Sequence, residues 1–263
     1  MKKFWCIVLV LLGLSGDIAL ATGCTKVTVT GPPGSAPSSW TLDGKLVGAA
    51  VDYVALVSRA AGVKQVEFKA FPTWSESLQA VYRGEIDIIF SANWSEERER
   101  YLDYIRPNMS SQFLNVVVRR GESFDFTKLE ALIDRMGAKP AGDSYGSGHF
   151  AIFVQRRLKL ETAPNTAQAI DLLLANKVDY VFGFEDVVFS QMTSRNLGTS
   201  LQILNTYPTQ SEGFMAFSKR SKCGADVREK FSEQVVLANA KHTYRGLMIK
   251  YREIFNETLT RPR

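Results

Sequence analysis

The sequence predicts an α/β protein made of two lobes that face each other across a cleft. Apolar strand runs alternate with amphipathic helices from Lys26 to Asn93, the order that builds a largely parallel sheet. Two stretches, Leu78–Asn93 (LQAVYRGEIDIIFSAN) and Ile170–Glu185 (IDLLLANKVDYVFGFE), also share one plan. Each has a helix, a short polar stop, an aspartate, an apolar strand and then small or polar residues. Such an echo implies two similar halves, and clefts between domains are where small molecules bind. Finally, Gly84–Pro107 (GEIDIIFSANWSEERERYLDYIRP) joins a helix stop, a buried strand and a new helix start at one corner. Ligands of open α/β sheets bind at such corners.

In chain order, Lys2 and Lys3, the apolar run Phe4–Leu14 and Ala19-Leu20-Ala21 read as a cleavable secretory leader over residues 1–21. The run is too short for a membrane anchor. Ala21-Thr22-Gly23-Cys24 loosely matches a lipid-attachment site but lacks the usual leucine three residues before the cysteine. Lipidation of Cys24 therefore ranks behind simple release to the periplasm. Loss of Lys2, Lys3 and Asp17 lowers the formal charge from +5 by one. The remaining basic residues are spread along the chain, which argues against a nucleic-acid binder. About 240 residues remain, enough for one large domain or two of roughly 100 residues each. Cys24 and Cys223 are an even pair, which favours a disulfide in an oxidising compartment. His149 and His242 are the only histidines and no C-x-x-C occurs, so neither a metal nor a cofactor is expected.

Lys26–Thr30 alternates around Val27 and Val29 as a first strand. Gly31–Ser39 is a loop leading to Trp40 and a turn at Asp43-Gly44. Gly48–Ala61 is a helix stopped at Gly62, and Val66, Phe68 and Phe71 lie on or just past a second strand. Thr73-Trp-Ser-Glu76 is a capping box opening a helix whose Trp74, Leu78 and Val81 share a face. Gly84 ends that helix. Ile86, Ile88, Ile89 and Phe90 form a buried strand with Ser91 and Asn93 at its end. Ser95 caps the next helix. Glu96 and Glu97 suit its dipole, whereas Arg98 opposes it by about 0.3–1 kcal/mol. A cation kept there suggests a nearby anion, although pairing with Glu97, Asp103 or solvent stays open. Phe113–Arg119 is extended and able to cross between lobes, and Phe126–Met136 reads as a helix. Ala138–Phe150 is a glycine-rich turn whose Ala138–Ala141 lead-in is too short and proline-broken for a strand. Helices follow at Phe150–Leu158 and Thr166–Ala175, then strands at Val178–Phe182 and Phe214–Phe217, and helical stretches from Asp226 to Glu257.

Several motifs then fall in a recognisable order: Asp43-Gly44-Lys45-Leu46-x-Gly48 with Asp52; Trp74 and Leu78 with Gly84-x-Ile86-Asp87; Ser95-Glu96-Glu97-Arg98 before Leu102-Asp103-Tyr104; Gly142-x-Ser144-Tyr145-Gly146; Val178-Asp179-Tyr180; and Phe217-Ser218-Lys219 with Cys223. Together they resemble the type II periplasmic solute-binding proteins of the amino-acid (family 3) class, over nearly all of the chain after the leader. The resemblance implies two α/β lobes on a two-strand hinge, with residues 22–115 and 211–263 in lobe 1 and 116–210 in lobe 2. Cys24 and Cys223 would both lie in lobe 1.

The resemblance gives Arg98 the grip on a ligand carboxylate, a bidentate task suited to guanidinium. It gives Ser91 and Asn93 further hydrogen bonds to the ligand and Trp74 its apolar side. Asp143 and Ser144 fall in the lobe 2 turn that meets the carboxylate. The chain departs from the pattern in places. Trp40 stands two positions later than the usual aromatic after Pro37, and Ala50 replaces a common acid. Phe184 stands where an acid binds the ligand's amino group; Glu185, the alternative, would point away along an extended strand.

The function implied is capture of a small carboxylate-bearing solute, an amino acid or relative, by hinge closure, for a membrane transporter or a sensor, the binder being a monomer. Two enzymatic readings compete. Gly142-x-Ser144-x-Gly146, with Asp179 or Glu185 and then His242, follows the order of a serine hydrolase. A dehydratase acting on a cyclic carboxylic acid would need an acid in the cleft, and Glu185 or Asp143 could serve.

Overall fold

A computed structural model describes residues 24–145 and 149–260. The leader expected over 1–21 and Gly146 of the glycine-rich turn lie outside the described residues. Strand β1 (Lys26–Thr30) is followed by a small antiparallel sheet of β2 (Gly34–Ser35), β3 (Ser39–Leu42) and β4 (Lys45–Val47). Next come α1 (Ala49–Ala60), β5 (Gln65–Phe68), α2 (Trp74–Arg83), β6 (Ile88–Asn93), the short α3 (Glu96–Glu99) and β7 (Leu102–Tyr104). The long β8 (Ser110–Arg119) leads through a 3-10 turn at Leu129–Leu132 to β9 (Met136–Pro140), α4 (His149–Arg157), β10 (Lys159–Ala163), α5 (Thr166–Leu174), β11 (Tyr180–Phe184) and α6 (Glu185–Ser194). The 18-residue β12 (Leu201–Ser218) returns the chain to α7 (Ala225–Ala240) and α8 (Thr243–Thr260).

The main sheet runs β10-β9-β11-β8-β12-β6-β1-β5, with β7 also on β12. It is hydrogen-bonded throughout, but its apolar core is divided. Val27, Val54 and Ile88 pack with Met215, Phe217 and Phe231, and Leu78, Ile89 and Leu102 form a group beside Ala216. Two other groups, one around Val116, Phe153 and Phe182 and one around Val117, Ile170 and Val181, are drawn from residues 114–204. Burial of each such Leu, Ile, Val or Phe side chain contributes about 1.5–3 kcal/mol. Strands β8 and β12 run antiparallel through both halves. Their register slips between Leu204 and Thr209, so the ladder is broken where the two cores part.

Local signals explain the elements that line the space between the halves. Thr73 and Glu76 form the expected capping box on α2, with Glu76 N–H donating to Thr73 Oγ1 at 3.2 Å and Thr73 N–H donating to Glu76 Oε2 at 2.9 Å. Gly84 ends α2 in the left-handed region, at φ 79°, where a side chain would be strained. Ser95 caps α3 by accepting from Arg98 N–H at 3.3 Å. Cys24 and Cys223 are joined in a disulfide spanning 199 residues.

Two expectations are corrected. Residues 126–136 do not make a helix. Leu129 and Leu132, buried three residues apart, need only one 3-10 turn, and Met136 already begins β9. Residues 138–141, expected to be too broken for a strand, largely belong to β9. Pro140 lies beyond the part of β9 that β11 pairs with, Gly137 and Ala138, so its missing N–H costs the sheet nothing on that side.

Candidate ligand-binding cleft

A cavity of about 560 Å³ lies between the halves, within the range of small-molecule sites. Trp74, Ser91 and Asn93 line it from one side, Asp143, Thr166 and Phe184 from the other, and Gln112 of β8 from the hinge. Helices α2 and α5 both begin at this space, through Thr73 and through Asn165, whose Oδ1 accepts from Gln168 N–H at 2.9 Å.

Among the described non-glycine residues that line the cavity, Ser91 is the one with a positive φ. Between Ala92 and Ile89, β6 has one residue more than its partner segment of β12, a bulge that falls at Phe90 and Ser91. Ser91 there adopts φ 56°, a conformation that is unfavourable for a residue with a Cβ and persists when its surroundings enforce it. Gly213, which faces Asn93 across the ladder, is needed for a different close approach, since a Cβ on it would stand 2.6 Å from Ser110 Oγ. The Ser91 hydroxyl oxygen is buried and has no partner among the described residues. Asn93 instead spends its amide N–H groups on Ser211 Oγ at 2.7 Å and the Glu212 carbonyl at 3.0 Å, tying β6 to the hinge strand.

Arg98 is 4% exposed, and it pairs with neither Glu97 nor Asp103; the latter binds Arg228 at 2.8 Å. Its Nη1 donates to the Asn93 carbonyl at 2.9 Å and its Nη2 to the Gly142 carbonyl of the other half. Its Cζ lies 5.8 Å from the centre of the Trp74 ring. The guanidinium lines a neighbouring cavity of about 860 Å³ together with Ser144, and not the 560 Å³ space. Gly142 allows this contact. Its φ is 81°, and a Cβ would sit 3.1 Å from Trp74 Cδ1 and 3.2 Å from Leu78 Cδ1.

Burial pushes the Asp143 carboxyl up to about 7, even though Arg98 and Lys139 pull it down. The halves meet again where α6 touches β2. Burial and neighbouring Glu185 raise Asp186 there to about 6 against the pull of Arg252.

Of the residues expected at the site, Trp74, Ser91 and Asn93 come together in the cleft, Arg98 and Ser144 line the neighbouring cavity, and Asp143 lines both. Two expectations are corrected here. Trp40 does not line the cavity but packs edge-on against Tyr251 and Phe255 of α8, with ring centroids 6.0 and 5.5 Å away. Glu185 does not lie on an extended strand. It is the first residue of α6, and Phe184 keeps the cavity wall apolar. Phe71, Gln112, Asn165 and Gln191 also line the cavity and were not anticipated. The N-cap signature of Asn165, matched to Thr73 through the internal echo, was the available signal. Among the described residues, no group of three or more His, Cys, Asp or Glu side chains is placed to hold a metal ion. No described helix is long and apolar enough to cross a membrane.

Two cores on a shared pair of strands, with a cavity between them, define a cleft-type solute-binding fold. The chain belongs to the bacterial extracellular solute-binding proteins, family 3, which it matches over residues 27–254. No curated protein matches it significantly. Among solved structures it is similar to an ancestral arginine-binding protein bound to glutamine (21% identity, TM-score 0.70, covering 86% of this chain and 97% of that one). It is also similar to a histidine kinase sensor domain related to periplasmic binding proteins (22%, 0.70, 86% and 95%). A third is the amino acid ABC transporter substrate-binding protein AbpA of Streptococcus pneumoniae bound to L-arginine (18%, 0.70, 90% and 97%). These likenesses establish the fold.

Proposed function

We propose that the protein captures an amino acid or a related small carboxylate-bearing solute in the 560 Å³ cavity, by closing one lobe on the other in the periplasm. Residues 22–115 with 211–263 are lobe 1 and 116–210 lobe 2, working as a monomer after removal of 1–21. The observation that carries this reading is a cavity walled from both halves, with Ser91 in its lining and the buried Ser91 hydroxyl without a partner among the described residues. Trp74, Ser91 and Asn93 contact the solute from lobe 1. Arg98 ties the closed lobes together at the rim, so that ligand contacts on both sides favour the closed state. Solved relatives bound to arginine and to glutamine support an amino-acid-type ligand. The same set contains a transporter component and a sensor domain, and the solute is passed to a partner of one of these two kinds.

A binding role is favoured over serine hydrolysis by the surroundings of Ser144. Unexpectedly, a strand does precede its turn, but neither His149 nor His242 lines the cavity that holds it. A Ser–His pair needs the imidazole within hydrogen-bond reach of the hydroxyl. The test of capture is a thermal-shift screen of the mature protein against amino acids, organic acids and polyamines. Occupancy at a hundred times Kd raises stability by about 2.7 kcal/mol, and a screen without a single stabiliser overturns the reading.

A further inference from the structure

A cavity of about 720 Å³ takes all of its lining residues from the first half, between α2, the end of α3 and the turn after β12. Its helical wall is Ser75, Leu78, Gln79 and Tyr82, spaced i, i+3, i+4, i+7 and so on one face of α2. The rest of the lining supplies three cations, Arg100, Lys219 and Arg220, against one acid, Glu97, together with the Tyr101 ring. None of the three cations is in an ion pair among the described residues, whereas nearby Arg83 is spent on Glu85 at 2.6 Å. The fold holds these charges in place. Lys219 N–H donates to the Tyr101 carbonyl at 2.9 Å and its Nζ to the Glu99 carbonyl. Arg220 Cζ lies 5.4 Å from the centre of the Tyr82 ring, which meets Tyr101 edge-on at 5.3 Å. A Cβ on Gly84 would stand 2.8 Å from Arg220 Cβ, so the glycine that stops α2 also makes room for this arginine. Tyr82 nevertheless leaves 54% of its surface to solvent. Tyrosine and arginine are residues that interfaces concentrate, and a guanidinium fork suits carboxylates. A flat lipid surface would need cations that project, but here Arg220 lies along a ring and Lys219 is turned to a main-chain oxygen. A chain segment can enter the pocket instead.

We propose that this pocket is a docking site for an acidic segment of a second protein, which sets carboxylates against Arg100, Lys219 and Arg220 and an apolar side chain against Tyr82. The site is separate from the solute cleft, since no residue lines both the 720 Å³ and the 560 Å³ cavities. It adjoins the 860 Å³ cavity through Leu78, Glu97 and Tyr101. A docked segment is therefore seated beside Arg98, whose guanidinium spans the two halves.

Fluorescence anisotropy of the disulfide-intact mature protein tests this with a short labelled peptide of glutamates around one phenylalanine and with its glutamine counterpart. The acidic peptide should bind at least about ten-fold more tightly, and the preference should shrink as salt is raised. Arg100→Gln/Arg220→Gln should abolish the preference at a melting temperature close to that of the wild type. Lys64→Gln/Lys177→Gln removes the same charge from exposed positions elsewhere and should keep it. Tyr82→Ala, which leaves every charge in place, should weaken the acidic peptide several-fold and is a second readout that does not depend on the arginines. Equal binding of the two peptides, or an equal loss in the arginine and lysine variants, overturns the proposal, because net charge alone would then account for binding. Phosphatidylglycerol vesicles that bind through Arg100 and Arg220 where the peptide does not would assign the pocket to a lipid surface and overturn it as well.

Discussion

Arg98 and Gly142 are hydrogen-bonded across the rim of the cleft, one from each half of the chain. The same guanidinium holds the Asn93 carbonyl at 2.9 Å, so it is fixed on its own side before it reaches over. Arg98→Ala would strand both carbonyls, each bond to a charged donor being worth about 1.5–3 kcal/mol. The expected result is a solute affinity lowered at least about ten-fold and a larger radius of gyration by small-angle scattering. Arg98→Lys should not restore either, because an ammonium lacks the planar fork that serves two acceptors. Wild-type affinity and radius in Arg98→Ala would show that this bond does not hold the halves.

Gly142→Ala acts on the same contact from the other side. The new methyl group would meet Trp74 and Leu78 at 3.1 and 3.2 Å from a backbone with φ 81°. Strain of that kind costs on the order of 1 kcal/mol. Affinity should fall several-fold with little loss of melting temperature, since the clash is relieved by separating the halves. A large drop in melting temperature with unchanged affinity would instead place the strain in the fold.

Ser91→Ala removes a hydroxyl that no described protein group uses. The free protein should therefore melt at an unchanged or slightly higher temperature. Binding should weaken by about five- to thirty-fold, the worth of one hydrogen bond to a ligand, about 1–2 kcal/mol. Calorimetric titration beside a melting curve separates the two effects, and equal affinity would remove Ser91 from the ligand's contacts.

Asp143 and Asp186 have carboxyls raised by burial to about 7 and about 6, from an ordinary 3.8. The folded chain then holds these protons more tightly than the unfolded one. Their stabilising contribution is complete below about pH 4 and is lost as the pH rises through 6 to 7. The melting temperature of the free protein should therefore fall from about pH 5 to about pH 8. Asp143→Asn and Asp186→Asn should each flatten that slope, as scanning calorimetry across the range would register.

The Cys24–Cys223 disulfide, with a Cα–Cα distance of 5.1 Å, closes nearly the whole chain into a loop. Its reduction should cost about 2–5 kcal/mol, read as a lower melting temperature in a phosphine reductant. A Cys24→Ser/Cys223→Ser variant should match the reduced protein and be indifferent to the reductant.

Where structure is dictated locally, the sequence was sufficient. The capping box at Thr73 and Glu76, the Gly84 stop and the Ser95 cap each depend on residues within one helical turn. The internal echo also has a physical cause. Asp87 accepts from Thr28 N–H at 2.9 Å and Asp179 from Met136 N–H at 2.8 Å, each clipping the start of its strand to a neighbour. Strand β10 gave no such sign, because its residues are mostly exposed and its pattern does not alternate. β9 was hidden by a proline that matters only if β11 pairs alongside it. At the cleft, the left-handed backbone of Ser91 arises from a bulge set by β12, which sequence periodicity cannot register. The Gly142 acceptor of Arg98 is a main-chain oxygen, which every residue type supplies. Trp40 was misplaced because Tyr251 and Phe255, the rings that hold it, come from the other end of the chain.

The mixed ancestry of the first core has a consequence for how the molecule comes into being. Val27 and Ile88 pack with Met215, Phe217 and Phe231, so that half cannot be sealed until almost the last helices have left the ribosome. The core drawn from residues 114–204 is contiguous and able to condense as soon as it emerges, as domains generally do. The middle of the polypeptide is thus positioned to mature ahead of its beginning, which waits for the tail and for the sulfur of Cys223.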